Sequence, residues 1–187
     1  MRFSFLTCSA SIILSICIRH SQGCLTDGGA ASFHTVFGAI RRKVVGYEDL
    51  IDKFISPNFE LVSDSLAFLT GGTLNDTNAH SVQEYLAKYS DPLPPPSSSR
   101  LIHIAHSCDT ITTYSEFIVG DVPIRAFNLY FVDLPSAKII KLYTEINNGA
   151  ARYAICKLNS TACPTQVKLD VGDNGPAYGF SGCQAPL

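Results

Sequence analysis

From Ser32 to Val45 the apolar residues Phe33, Val36, Phe37, Ile40 and Val44 recur at the spacing of one helical face. Gly46 ends the pattern. Tyr47, Leu50, Ile51, Phe54 and Ile55 repeat it, and Pro57 stops it. Phe59 to Val62 reads as a short strand, and the polar, Gly-containing stretch from Thr70 to Asn78 as a loop. Ser81 with Glu84 three residues on is a capping box, and Val82, Tyr85, Leu86 and Tyr89 supply the apolar face of a third helix.

The proline-rich stretch from Asp91 to Ser99 can neither continue a helix nor enter a central strand, so it reads as a stiff connector. A domain boundary is the alternative, but neither half alone looks able to close a core. Beyond it the period changes to two. Leu101–Ser107, Ile111–Val119, Ile124–Val132 and Lys138–Asn147 are strand-forming runs separated by short turns, which predicts an antiparallel meander. Helices first and strands after give an α+β fold, three N-terminal helices packed on a curled antiparallel sheet. The tail from Ala150 reads as irregular, with its Gly, Pro and Cys residues held by disulfides.

The compartment follows from the N-terminus. Arg2, then an apolar run from Phe3 to Ile18, then Ser21-Gln22-Gly23 has the order of a secretory signal peptide. The run is short of the roughly 20 residues of a membrane span. The expected organisation is 1–23 leader, 24–149 α+β domain and 150–187 tail, on a secreted, extracellular protein. Two of the fourteen Lys and Arg leave with the leader and none of the sixteen Asp and Glu, so the mature charge is −4. No basic patch for nucleic acid or for an anionic membrane is expected.

Cys24, Cys108, Cys156, Cys163 and Cys183 remain as disulfide candidates. Cys156 and Cys163 could close a small loop, and Cys183 could staple the tail to Cys24 or Cys108. The sequence leaves the connectivity open and has no paired spacing that would hold zinc. Asn75-Asp76-Thr77 and Asn159-Ser160-Thr161 are glycosylation sequons in loop-like stretches.

The element order over Ser32–Asn147 resembles the SnoaL-like, or nuclear-transport-factor-two-like, superfamily. The run from Gly46 to Phe59 is similar to its second helix and entry to the first strand, Ser81–Leu86 to its third helix, and Lys138-Ile139-Ile140 to the opening of its last long strand. The resemblance implies a cone with an apolar pocket between concave sheet and helices, and a homodimer through the sheet. It also implies His103 at the start of the meander as a pocket residue. Such folds serve proton-transfer enzymes and binders alike, so the fold does not choose between them.

On a strand, His103 and His106 point to opposite faces and cannot share a metal, so no metal or cofactor is expected. His103 turned inward would be the natural acid or base. Ile124, Ala126, Asn128 and Tyr130 share one strand face, where Asn128 and Tyr130 suit a carbonyl or enolate oxygen. Ile140, Leu142, Thr144 and Ile146 form the more apolar face of the last strand. Glu145, on the other face, would be a base only if buried. The aspartate that the superfamily's dehydratases carry in the first helix has no counterpart; His34 stands in that helix.

The expected ligand set is therefore His103, Ala126, Asn128, Tyr130 and Leu142, around a small hydrophobic molecule. His103, Asn128 and Tyr130 would be catalytic if there is turnover. Three functions remain: a secreted binder, a lyase or isomerase, and a secreted effector-like interaction protein.

Overall fold

A computed structural model describes residues 23–90 and 96–158. Among them are five α-helices: α1 (Asp27–Arg41), α2 (Tyr47–Phe54), α3 (Asp64–Thr70), α4 (Val82–Tyr85) and α5 (Asn148–Leu158). Six strands, β1 (Ile55–Val62), β2 (Thr77–Ala79), β3 (Ser98–His106), β4 (Thr110–Val119), β5 (Val122–Asp133) and β6 (Lys138–Ile146), form one sheet in the order β2-β1-β6-β5-β4-β3.

The four strands of the meander run within a few residues of their expected bounds and pair antiparallel. The sheet is mixed, however, because β1 lies parallel to β6. That pairing joins residues far apart in sequence, and the period of either strand carries no trace of its partner.

Helix ends follow local chemistry. Thr26 Oγ1 accepts from Gly29 N–H at 3.1 Å and starts α1 ahead of its apolar stripe. At α4, Ser81 Oγ accepts from Glu84 N–H at 3.0 Å, while the Glu84 carboxylate accepts from His80 N–H at 2.8 Å, one residue earlier than a standard box. A wider helical turn, Leu86–Ser90, continues that helix.

Three elements depart from the sequence reading. Asp64–Thr70 is a helix capped by Ser63, whose hydroxyl accepts from Leu66 N–H. Asn148–Leu158 is also a helix, where an irregular tail was expected from Ala150, and the residues beyond Leu158 lie outside the described ones. Asn147 caps it through Ala150 N–H at 3.1 Å, and Ala151 and Ala154 are buried on one face. Alanine's helix propensity and the Asn start were the readable signals. β2 also overlaps the end of the stretch from Thr70 to Asn78 that was expected to be a loop.

The helices cover one face of the sheet in two apolar clusters. The larger packs Phe37 of α1 against Phe59, Tyr85 and Tyr130 with ring centroids 5.5–6.2 Å apart. Such ring pairs each add about 0.5–1.5 kcal/mol beyond their buried area. The smaller cluster holds Phe117, Val119, Val122, Ile124 and Ala126 under Ala151 and Ala154.

Cys24 and Cys108 form a disulfide. It joins the chain before α1 to the β3–β4 turn, and Leu25 N–H donates to Cys108 O beside it at 2.8 Å. This uses both residues that were candidates to hold Cys183. Cys156 on α5 is disulfide-bonded as well. Cys163, Cys183 and Asn159 lie outside the described residues, as do the expected leader and the centre of the proline connector. Asn75 is exposed, in a turn with φ of 58°.

Candidate functional site

Four strands, β3 to β6, register their inner side chains in rows. Ile104, Thr113, Asn128 and Thr144 form one row, and His106, Ile111, Tyr130 and Leu142 the next. Ala126 sits one row further on, between Ser115 and Ile146. Ala126, Asn128, Tyr130 and Leu142, four of the five expected ligand residues, thus share the concave face, all nearly buried.

His103 does not join them. It registers with Tyr114, whose neighbour is Phe127, and is exposed on the convex face. The two histidines do face opposite ways, but His106 is the inward one. The β4 partners decide this, since Ile111 and Thr113 are fully buried and pair with His106 and Ile104. The acid or base role expected of His103 therefore has no pocket around it.

β6 also changes parity. Phe131 pairs with Lys141 but Val132 with Ile139, so Ile140 is an extra residue and is 40% exposed, while Ile139 is fully buried. Beyond the bulge Leu142 and Thr144 face inward as expected. Glu145 faces out, and its two carboxylate oxygens accept from Asp64 and Ser65 N–H at 2.9 Å each, at the start of α3.

Asn128 is committed to the protein. Its amide nitrogen donates to Thr113 Oγ1 at 3.1 Å, and its oxygen accepts from Thr144 Oγ1 at 2.7 Å. This polar row separates the two apolar clusters, and its members satisfy one another.

The less closed part of the concave face lies beside α1. His34 is half-buried there, with Nδ1 3.4 Å from the Tyr130 hydroxyl. Burial, and then the positive charge of Arg41, hold the His34 pKa below its ordinary value. Burial raises that of Tyr130, so its hydroxyl stays protonated. Arg41, two helical turns beyond His34, lies 5.4 Å over the Phe117 ring. A cleft of about 410 Å³ opens along the seam between α1 and β3, lined by Asp27, Ala30, Ile104, Ala105 and His106. A second, of about 240 Å³, lies between α2 and α4 around Tyr47, Ile51, Gln83 and Leu86.

Sequence reasoning missed Arg41, turned His103 inward in place of His106, and noted His34 only as a stand-in for a missing aspartate. The signal for the α1 pair was their spacing: seven residues apart, they share a helical face flanking the apolar stripe. Among the described residues no three His, Cys, Asp or Glu side chains gather where they could hold a metal ion. None of the described helices is long and apolar enough to cross a membrane.

A curled sheet with helices on its concave side, closed over a polar row, defines an NTF2-like α+β cone. The family model of the NTF2-like domain matches residues 23–157, and the chain belongs to that family. Solved structures agree on the fold. A candidate isomerase from Rhodopseudomonas palustris superposes with a TM-score of 0.53 at 8% identity, covering 71% of this chain and 99% of the other. A candidate SnoaL-like polyketide cyclase from Jannaschia sp. CCS1 gives 0.52 at 11% identity, covering 68% and 92%. A candidate polyketide cyclase from Streptomyces antibioticus gives 0.51 at 11%, covering 67% and 97%. At these identities the likeness is one of fold alone. A search of the curated proteins finds no match.

Proposed function

We propose that this is a secreted NTF2-like protein that binds a small, largely hydrophobic molecule without turning it over. The observation that carries the reading is the seam between α1 and β3. It has about 410 Å³ of space, within the range of about 300–1,000 Å³ typical of small-molecule sites. Its walls combine Ala30 and Ile104 with a few polar groups, and His34 follows one turn along α1. The Cys24–Cys108 disulfide supports an oxidising compartment, in line with the signal-like N-terminus.

Turnover loses support because His103 is exposed and Asn128 is already bonded at both ends of its amide. A second copy of this chain is the proposed occupant of the convex face. Phe127 and Tyr143 stand there 48% and 40% exposed, flanked by the ion pairs of Glu116 with Arg100 and Arg125 and of Lys141 with Glu60.

Native mass spectrometry of the protein secreted from a eukaryotic host tests the reading. A discrete small-molecule mass that is lost on denaturation is expected. An empty chain that also takes up no hydrophobic probe would overturn it and move the search to protein partners.

A further inference from the structure

We infer that the ligand is an organic anion and that Arg41 receives its acid group. The inference rests on the seam being a ligand site and specifies the chemistry that enters it. Arg41 ends α1, half-buried, with its guanidinium over the Phe117 ring. Arg100, Arg125, Lys141 and Lys157 each meet a carboxylate. Arg41 meets none among the described residues. A guanidinium carries five N–H donors in a planar fork matched to a carboxylate or sulfonate, and leaving it partly desolvated without acceptors is costly.

The neighbours supply no compensating charge. His34 is held toward its neutral form by burial and by Arg41 itself, and Tyr130 keeps its proton. Each can still give or share a hydrogen bond. Gly38 lies between His34 and Arg41 on the same flank of α1, and a side chain placed there would meet nothing within 4 Å.

Helix α1 is also electrically polar along its length. Asp27 lies fourteen residues before Arg41, about 21 Å along the helix axis, and is paired with His106 at 2.8 Å. An anion lying along α1 is drawn toward the Arg41 end, with its apolar body over Ala30 and Ile104.

The test compares two fluorophores of nearly the same shape, 8-anilinonaphthalene-1-sulfonate and the neutral N-phenyl-1-naphthylamine, on the full mature chain. The sulfonate is expected to bind about tenfold or more tighter, the scale of a charge-assisted contact. Arg41→Gln is expected to bring the two probes within about twofold while leaving the neutral one's Kd unchanged. Arg41→Lys is expected to keep part of the preference. The neutral probe doubles as the control for folding. As an independent readout, the sulfonate should raise the His34 pKa, followed by imidazole NMR, in the native protein and not in Arg41→Gln. Equal affinities in the native protein, or a preference that survives Arg41→Gln, would overturn the role of Arg41 and leave the seam standing as a site. Binding of neither probe would overturn both.

Discussion

His106 Nε2 lies 2.8 Å from Asp27 Oδ1, and Nδ1 of the same ring lies 3.0 Å from Ser107 O. Both partners are acceptors, and a neutral imidazole can donate to only one of them. The pair therefore favours the imidazolium. The Asp27 hydrogen bond, then that of Ser107, raises the His106 pKa above the ordinary 6.5. The sign follows from linkage: this contact's contribution to stability is fully present below about pH 6.5 and is lost as pH rises through the folded pKa. Imidazole NMR should find His106 titrating above 6.5, and Asp27→Asn should bring it down. An unchanged titration in Asp27→Asn would contradict the assignment. Solvent exposure keeps the effect small and sensitive to salt.

The Cys24–Cys108 disulfide closes a loop of 84 residues beside that contact. A cross-link of this length restricts the unfolded chain, and its removal typically costs about 3–5 kcal/mol. The Cys24→Ser, Cys108→Ser double variant should melt well below the parent in calorimetry. It should also expose the start of α1 to hydrogen exchange before the sheet opens, because Cys24 and Leu25 are anchored to Cys108 in the β3–β4 turn and Asp27 to His106 at the end of β3. Uniform exchange along the chain would argue against a local clasp.

Much of this fold was legible because its strongest signals are periodic. The parity of Ile124, Ala126, Asn128 and Tyr130 carries straight into the observed concave face. What the period does not encode is pairing. The parallel β1–β6 contact, the bulge that turns Ile140 outward and the choice of His106 over His103 are all set by neighbouring strands. The candidate site was half legible for the same reason. Its sheet half, Tyr130, came from alternation within one strand. Its helix half, His34 and Arg41, needed the packing of α1 across that strand.

Asn128 gives a test that separates scaffold from ligand contact. Its amide joins Thr113, fully buried, to Thr144, 7% exposed. Asn128→Leu leaves both hydroxyls to find new partners in an apolar setting, at about 1–3 kcal/mol for each one left unpaired. Denaturant unfolding should show a loss of about 2–4 kcal/mol at unchanged m-value. Full stability with weakened ligand binding would instead return Asn128 to the ligand set.

Glu145 carries a role that its position on the convex side conceals. Its carboxylate spans the N–H groups of Asp64 and Ser65, while Ser65 Oγ accepts from Ile146 N–H at 3.0 Å. One edge of β6 thereby holds the first turn of α3, a seven-residue helix too short to persist alone. Charge matters as well as hydrogen bonding, since a carboxylate complements the positive end of a helix. Glu145→Ala should cost about 1 kcal/mol, and Glu145→Gln, which keeps one acceptor and removes the charge, about half of that. Both should raise hydrogen exchange in Leu66 to Thr70 and leave α1 unaffected. Equal losses for Ala and Gln would show that the charge contributes nothing. Loss in α1 instead of α3 would show that the capping geometry does not describe the protein in solution.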